Sequence, residues 1–163
     1  MTPSRRRPFQ LPALAVVCTL FALTGCGGGT TTAARAHVEP PLDPPAEIVE
    51  ICAALHKQLP RSIAGKEQRD PEPVSDLTAG WGDPAIVLRC GVTRPEKMGD
   101  PNADAVAVNG VEWLVERQPA GTHRFTSTYR EAYVEVTLPR GSTDAGALTY
   151  LAEAVKKTVP SSL

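Results

Sequence analysis

Residues 105–116 read Ala-Val-Ala-Val-Asn-Gly-Val-Glu-Trp-Leu-Val-Glu, two apolar segments on either side of Asn109-Gly110. Asn-Gly between such segments is a strong signal for a β-hairpin, because both central residues of a type I′ turn need a positive φ. The pattern predicts two paired strands, over residues 105–108 and 111–116. Since strands joined by a two-residue turn run antiparallel, we expect an antiparallel sheet.

Three other segments have the composition of strands. Residues 85–90 are a nearly continuous apolar run, typical of a buried strand. Residues 124–129 and 132–138 are predicted to form a further pair. In the last segment every second residue is apolar and is expected to share one face, namely Val134, Val136 and Leu138. The residues between them are expected on the other face, namely Tyr133, Glu135 and Thr137.

Two amphipathic helices are predicted, one before and one after the strands. The first covers residues 46–59, with apolar residues at helical spacing, and ends at Pro60. The second begins at Asp144, and Lys156-Lys157 lie near its C-terminal end, as the helix dipole favours. The order of helix, about five strands and helix predicts an α+β fold. We expect a two-layer sandwich in which two helices cover one face of a mainly antiparallel sheet.

The N-terminus has the three parts of a bacterial lipoprotein signal. Three arginines at positions 5–7 precede an apolar run over residues 11–23, and Leu-Thr-Gly-Cys at 23–26 resembles a lipobox. The run is too short for a transmembrane helix, which needs about 20 residues. A secretory signal with a coincidental cysteine is the remaining alternative. We expect a signal peptide over residues 1–25 and lipidation of Cys26.

Cleavage before Cys26 removes three arginines and no acidic residue, so the formal net charge changes from −1 to −4. Two acyl chains such as palmitate on this cysteine suffice for stable anchoring at the extracytoplasmic face of the cell membrane. Residues 26–45, rich in Gly and Thr and then in Pro, are predicted as a linker, and residues 46–159 as a single domain. The acidic charge argues against nucleic-acid binding.

Two cysteines remain after Cys18 of the signal and the lipidated Cys26. An oxidising compartment favours a disulfide between Cys52 and Cys90, closing a loop of about 38 residues and adding about 3–4 kcal/mol to stability. A redox or catalytic thiol pair is the alternative, but the chain has no Cys-x-x-Cys sequence.

The candidate binding residues are Trp81, Asp83 and Arg89. They lie at the end of residues 60–84, a charged and proline-containing segment predicted as a long irregular connection. Trp-Gly-Asp-Pro favours a turn in which Asp83 caps backbone amides, and Trp81 is either a core residue or an exposed docking residue. If Arg89 is buried it needs a carboxylate partner, for which Asp83 and Glu112 are the candidates. The pair would be a structural ion pair or part of an anion site.

Several segments together resemble an actinobacterial lipoprotein family called domain of unknown function 3515. The likeness covers roughly residues 50–156. It rests on Cys52 followed by Leu59-Pro60, and on Trp-Gly-Asp-Pro at 81–84, Ile-Val-Leu-Arg-Cys-Gly at 86–91, Val-Asn-Gly-Val-Glu-Trp at 108–113 and Ala-Tyr-Val-Glu-Val at 132–136. The resemblance implies a membrane-anchored envelope protein, and it supplies no catalytic residues.

Motifs for catalysis and metal binding are scarce. Three histidines without zinc-site spacing are expected at the surface: His37, His56 and His123. The chain has no Gly-x-Ser-x-Gly or Ser-x-x-Lys motif and no phosphate-binding glycine loop. A carboxylate pair for glycoside hydrolysis would have to come from Asp83, Glu112, Glu116 and Glu135. We expect no catalytic residue, no metal and no cofactor.

The sequence therefore favours a non-enzymatic, lipid-anchored module that binds an envelope protein, a cell-wall polymer or another ligand. A small cell-wall hydrolase that uses carboxylates is the alternative. A structural subunit of a larger membrane complex is a third interpretation.

Overall fold

The computed structural model describes residues 35–83, 85–142 and 145–163. The predicted signal peptide and Cys26 lie outside these ranges. Within the described ranges the chain forms two α-helices, α1 (Ala46–His56) and α2 (Gly146–Thr158). The same described residues form eight strands: β1 (Ser62–Ile63), β2 (Lys66–Glu67), β3 (Thr78–Trp81), β4 (Ile86–Cys90), β5 (Ala105–Val108), β6 (Val111–Arg117), β7 (His123–Ser127) and β8 (Val134–Leu138). A short 3₁₀ helix spans Glu96–Gly99.

The Asn-Gly hairpin is confirmed. β5 pairs antiparallel with β6, and Val108 lies opposite Val111 across the turn. Asn109 has φ 48° and Gly110 has φ 79°, so both central residues take the left-handed conformation that a type I′ turn requires.

One six-stranded sheet, in the order β3-β4-β8-β7-β6-β5, forms the centre of the domain, and every neighbouring pair is antiparallel. The predicted α+β fold is therefore confirmed, with one strand more than expected. The additional strand is β3, inside residues 60–84, where sequence periodicity predicted only an irregular connection. The same segment contains the small β1-β2 hairpin.

Both helices pack on one face of the sheet. Their buried side chains belong to the same core cluster as every second residue of the strands, and such residues share one face. The core contains residues from both layers, including Cys52, Leu55, Leu88, Trp113, Val136, Leu148, Leu151 and Val155. The opposite face of the sheet is called the open face below. Since side chains alternate along a strand, it carries the neighbours of these core residues, such as Arg89 and Glu135.

The predicted disulfide between Cys52 of α1 and Cys90 of β4 is present. Its two Cα atoms lie 5.6 Å apart, within the usual range for a disulfide. The bond covalently links the first helix to a strand of the main sheet.

The boundaries of the predicted helices and strands lie within three residues of the sequence prediction, and those of β5 agree with it. α1 ends at His56 rather than at residue 59, although Leu59 still reaches the core. α2 is described from Gly146 onward, and the predicted start at Asp144 lies outside the described residues.

Part of the predicted linker lies against the domain. Val38 N donates to Glu72 O at 3.0 Å, Glu72 N donates to Ala36 O at 2.9 Å, and the side chains of Val38 and Pro41 are buried. These contacts hold residues 36–38 against the segment that follows α1. The two backbone hydrogen bonds join residues that are more than thirty positions apart, so local sequence does not predict them.

Candidate functional site

A row of alternating charges crosses four strands on the open face. Arg89 Nη1 of β4 lies 3.2 Å from Glu135 Oε1 of β8, and Glu135 Oε2 lies 3.7 Å from Arg124 Nη1 of β7. Arg124 Nε in turn lies 3.0 Å from Glu116 Oε2 of β6. The two carboxylates are largely buried, with side-chain exposures of 11% and 8%, whereas each arginine remains about one third exposed. The row therefore balances its own charge.

Strand register explains this row. Arg89 is the direct cross-strand partner of Glu135, and Glu116 is that of Arg124. Opposite charges facing each other across antiparallel strands stabilise the pairing. Side chains alternate between the two faces along each strand, and each of these four residues is next in sequence to a residue that faces the core. All four therefore lie on the open face.

An arginine cavity of about 430 Å³ lies over one part of this row. Arg89, Arg124 and Glu135 form its floor, and Arg94 and Glu96 line it from the segment 91–104 that joins β4 to β5. The N-terminal stretch contributes Pro41 and Leu42, and the carbonyl of Glu39 accepts a hydrogen bond from Arg89 Nε at 3.0 Å.

A tyrosine cavity of about 400 Å³ lies over another part of the open face. One wall of the cavity comes from the sheet and the residues that follow its strands, including Glu112, Leu114, Tyr129 and Tyr133. The other wall comes from the same 91–104 segment and includes Arg94, Met98 and Asp100. Ala105 of β5 lies at the border of the cavity. Arg94 lines both cavities, and its Nη2 donates to Met98 O at 2.9 Å.

Sequence reasoning did not single out this site. Tyr133 lies on the same face as Glu135, as the alternation in residues 133–138 predicts, and it lines the tyrosine cavity. Tyr129 is 54% exposed and has φ 53°, an uncommon conformation for a bulky residue. No signal in the sequence indicated that segment 91–104 lies over this face.

The structure does not bring Trp81, Asp83 and Arg89 together. Trp81 is completely buried on the helix side of the sheet, where its Nε1 donates to Pro60 O at 2.8 Å. It therefore occupies the core, the first of its two sequence interpretations. Asp83 is exposed in the turn after β3, and Arg89 lies on the open face.

The partner of Arg89 is Glu135, so the expectation of Asp83 or Glu112 is wrong. Glu135 lies directly opposite Arg89 on the neighbouring strand, whereas Glu112 lies on β6, three strands away in the sheet order. An arginine within an apolar strand indicated that a carboxylate partner is needed. Which carboxylate lies opposite Arg89 depends on the order of the strands, which the sequence did not reveal.

The four carboxylates considered for hydrolysis have different environments. Glu116 and Glu135 are ion-pair partners of arginines, Asp83 lies in a separate turn, and Glu112 lines the tyrosine cavity. This arrangement offers no observation in favour of a two-carboxylate mechanism.

The histidines also lie apart. His37 hydrogen-bonds Glu39 at 2.8 Å, His56 lies 3.9 Å from Asp76, and the ring of His123 stacks on Phe125 with centroids 6.5 Å apart. His56 and His123 are half-buried rather than fully at the surface. Within residues 35–83, 85–142 and 145–163, no group of His, Cys, Asp or Glu is arranged to hold a metal ion.

None of the helices in the described part of the chain is long and apolar enough to cross a membrane. Comparison with curated proteins yields no match, and comparison with solved structures yields none either.

A family model, described as "Protein of unknown function (DUF3515)", matches residues 11–163. The match covers the hairpin, both helices and every residue of the two cavities. The chain therefore belongs to the DUF3515 family.

Proposed function

We propose that this protein is a lipid-anchored binding module on the extracytoplasmic face of the cell membrane, and that it acts by holding a partner rather than by catalysis. The anchoring part rests on the lipoprotein signal pattern and Cys26. The observation that carries the binding part is the pair of cavities between the open face and segment 91–104, joined through Arg94.

The open face is suited to binding rather than to chemistry. The charged row beneath the arginine cavity is already paired internally, so its side chains are held in place before any ligand arrives. The tyrosine cavity adds aromatic surface and polar groups in one concave site, the combination typical of ligand recognition.

The anchor also limits where the partner is found. Ten residue steps separate Cys26 from Ala36, where the contacts with the domain begin. A chain of that length spans at most about 35 Å. An envelope protein at the membrane is therefore the favoured partner, and a cell-wall polymer near the membrane is the second candidate.

In-cell photocrosslinking tests this proposal. A photoreactive p-benzoylphenylalanine replaces Tyr129, which lines the tyrosine cavity, and in a matched control it replaces Tyr150 of α2 on the other layer. The two tyrosines are similarly exposed, at 54% and 49%. We expect a discrete crosslinked species, identified by mass spectrometry, from position 129 alone.

Repeating the experiment with Cys26→Ala separates anchoring from binding. Loss of the crosslink is expected if the partner resides at the membrane. Equal crosslinking from both tyrosine positions, or none from position 129, would contradict binding at the open face. A crosslink that is unchanged by Cys26→Ala would contradict the anchored part of the proposal.

A further inference from the structure

β5 is an edge strand whose outward backbone groups have no partner within the described residues. Asp104 O accepts a hydrogen bond from Val115 N at 2.8 Å, and Val108 lies opposite Val111 at the turn. Hydrogen-bonded pairs alternate in an antiparallel ladder, so Val106 and Val108 direct their N–H and C=O groups toward β6. Ala105 and Ala107 direct theirs away from the sheet.

The opposite edge of the sheet is protected. Along β3, Arg69 N donates to Gly80 O at 2.8 Å, and Gly82 N donates to Glu67 O at 3.0 Å. The segment containing β2 therefore covers that edge. Proteins usually protect exposed edges in this way, or with charges, prolines or bulges.

β5 has none of these protections in its own sequence. Its four residues are Ala-Val-Ala-Val, without a charge or a proline, and both outward-directed alanines are exposed. An unprotected edge of this kind is a template for an additional strand.

The tyrosine cavity begins beside this edge, because Ala105 is one of its lining residues. An added strand places alternate side chains over the open face, next to the cavity. Leu114 and Met98 give the cavity an apolar wall, while Asp100 and Glu112 outnumber Arg94 among its charged residues. A long aliphatic side chain with a positive end matches this lining.

We propose that β5 receives an extended segment of a partner polypeptide, which adds a strand to the sheet and places a lysine or arginine side chain in the tyrosine cavity. The inference rests on the proposed binding function and specifies its partner. A second copy of this chain fits less well, because its own β5 would bring only alanine side chains to the open face and leave the cavity unfilled.

The test uses the full chain in detergent micelles and a library of random twelve-residue peptides displayed on phage. We expect the selected peptides to share a lysine or arginine flanked by residues that favour strands. Affinities of the selected peptides are then measured by fluorescence anisotropy for three variants and the unsubstituted chain.

Ala107→Pro removes only an outward-directed N–H, and Ala107→Thr is the matched control that keeps it. We expect the proline to weaken peptide binding at least about tenfold and the threonine to change it less than about twofold. Circular dichroism establishes that the proline variant is folded. If the proline variant is unfolded, the binding measurements on Glu112→Lys test the inference instead.

Glu112→Lys reverses a charge on an exposed side chain without touching the backbone. We expect this variant to lose the basic peptides and to select acidic ones instead. Binding that withstands both Ala107→Pro and Glu112→Lys, selected peptides without a basic residue, or an empty selection would each overturn the inference. Self-association of the chain that Ala107→Pro abolishes would also overturn it, in favour of a second copy.

The two proposals fail separately. A crosslink from position 129 that is insensitive to Ala107→Pro and Glu112→Lys would leave the binding function standing and remove strand addition. The absence of any crosslink from position 129 would remove the binding function itself.

Discussion

Cys52 of α1 and Cys90 of β4 are joined by a disulfide, and both side chains are almost completely buried. The bond closes a loop of 38 residues that contains β1, β2 and β3. It therefore restrains a large part of the unfolded chain.

We predict that Cys52→Ala lowers the free energy of unfolding by about 3–4 kcal/mol, because it removes this restraint. Denaturant unfolding of the oxidised protein measures the loss, and the same comparison under reducing conditions is the control, in which the difference should largely disappear. An unchanged melting temperature in the oxidised state would contradict a stabilising disulfide.

The two tryptophans are equally buried but differ in hydrogen bonding. Trp81 Nε1 donates to Pro60 O, whereas Trp113 Nε1 has no partner within the described residues. We predict that Trp81→Phe costs about 1–2 kcal/mol more than Trp113→Phe, because only the first substitution removes a satisfied hydrogen bond. Thermal or urea unfolding of both variants provides the comparison, and equal costs would count against the Trp81–Pro60 bond.

Glu135 is shared by two arginines on the open face. We predict that Glu135→Gln destabilises the domain by about 1–2 kcal/mol, since it leaves Arg89 and Arg124 without their common negative partner. Glu153→Gln is the matched control, because Glu153 is exposed and pairs with Lys156 on the helix surface. The control should change stability by less than about 0.5 kcal/mol. Equal effects in urea unfolding would show that the charged row has no structural role.

Backbone exchange rates test the open edge directly. We predict that the amide protons of Ala105 and Ala107 exchange with solvent faster than those of Val106 and Val108, because only the valines donate to β6. Hydrogen–deuterium exchange followed by NMR resolves the four amides individually. Protection of all four would mean that the edge is already covered, and would remove the basis for strand addition.

Several elements follow directly from local sequence. Asn109-Gly110 determined the β5-β6 hairpin, since few other residue pairs adopt two consecutive positive φ values without strain. Alternation in residues 133–138 separated the core face from the open face. The signal pattern implies an oxidising compartment, and this implication led to the prediction of the Cys52–Cys90 disulfide. The fold class needed nothing beyond these local patterns and the order of the elements.

The strand conformation of β3 and the choice of carboxylate partner for Arg89 could not be predicted from short stretches of sequence. Thr78–Trp81 is only four residues long and carries a glycine, so its strand conformation comes from pairing with β4 on one side and with residues 67–69 on the other. The choice of Glu135 over Glu112 came from strand order, a property of the whole sheet. The same is true of the contacts that hold residues 36–41 against the domain.

The sequence by itself determined the α+β class, the hairpin, the two helices and the disulfide, because turn geometry, periodicity and thiol chemistry act over short distances or on one pair of groups. Only the tertiary structure decided that segment 91–104 lies over the open face and that Arg94 lines two cavities there. It also decided that, among the described residues, the β3 edge of the sheet is covered and the β5 edge is not. These features arise from packing between residues far apart in the chain, and no short stretch of sequence encodes them.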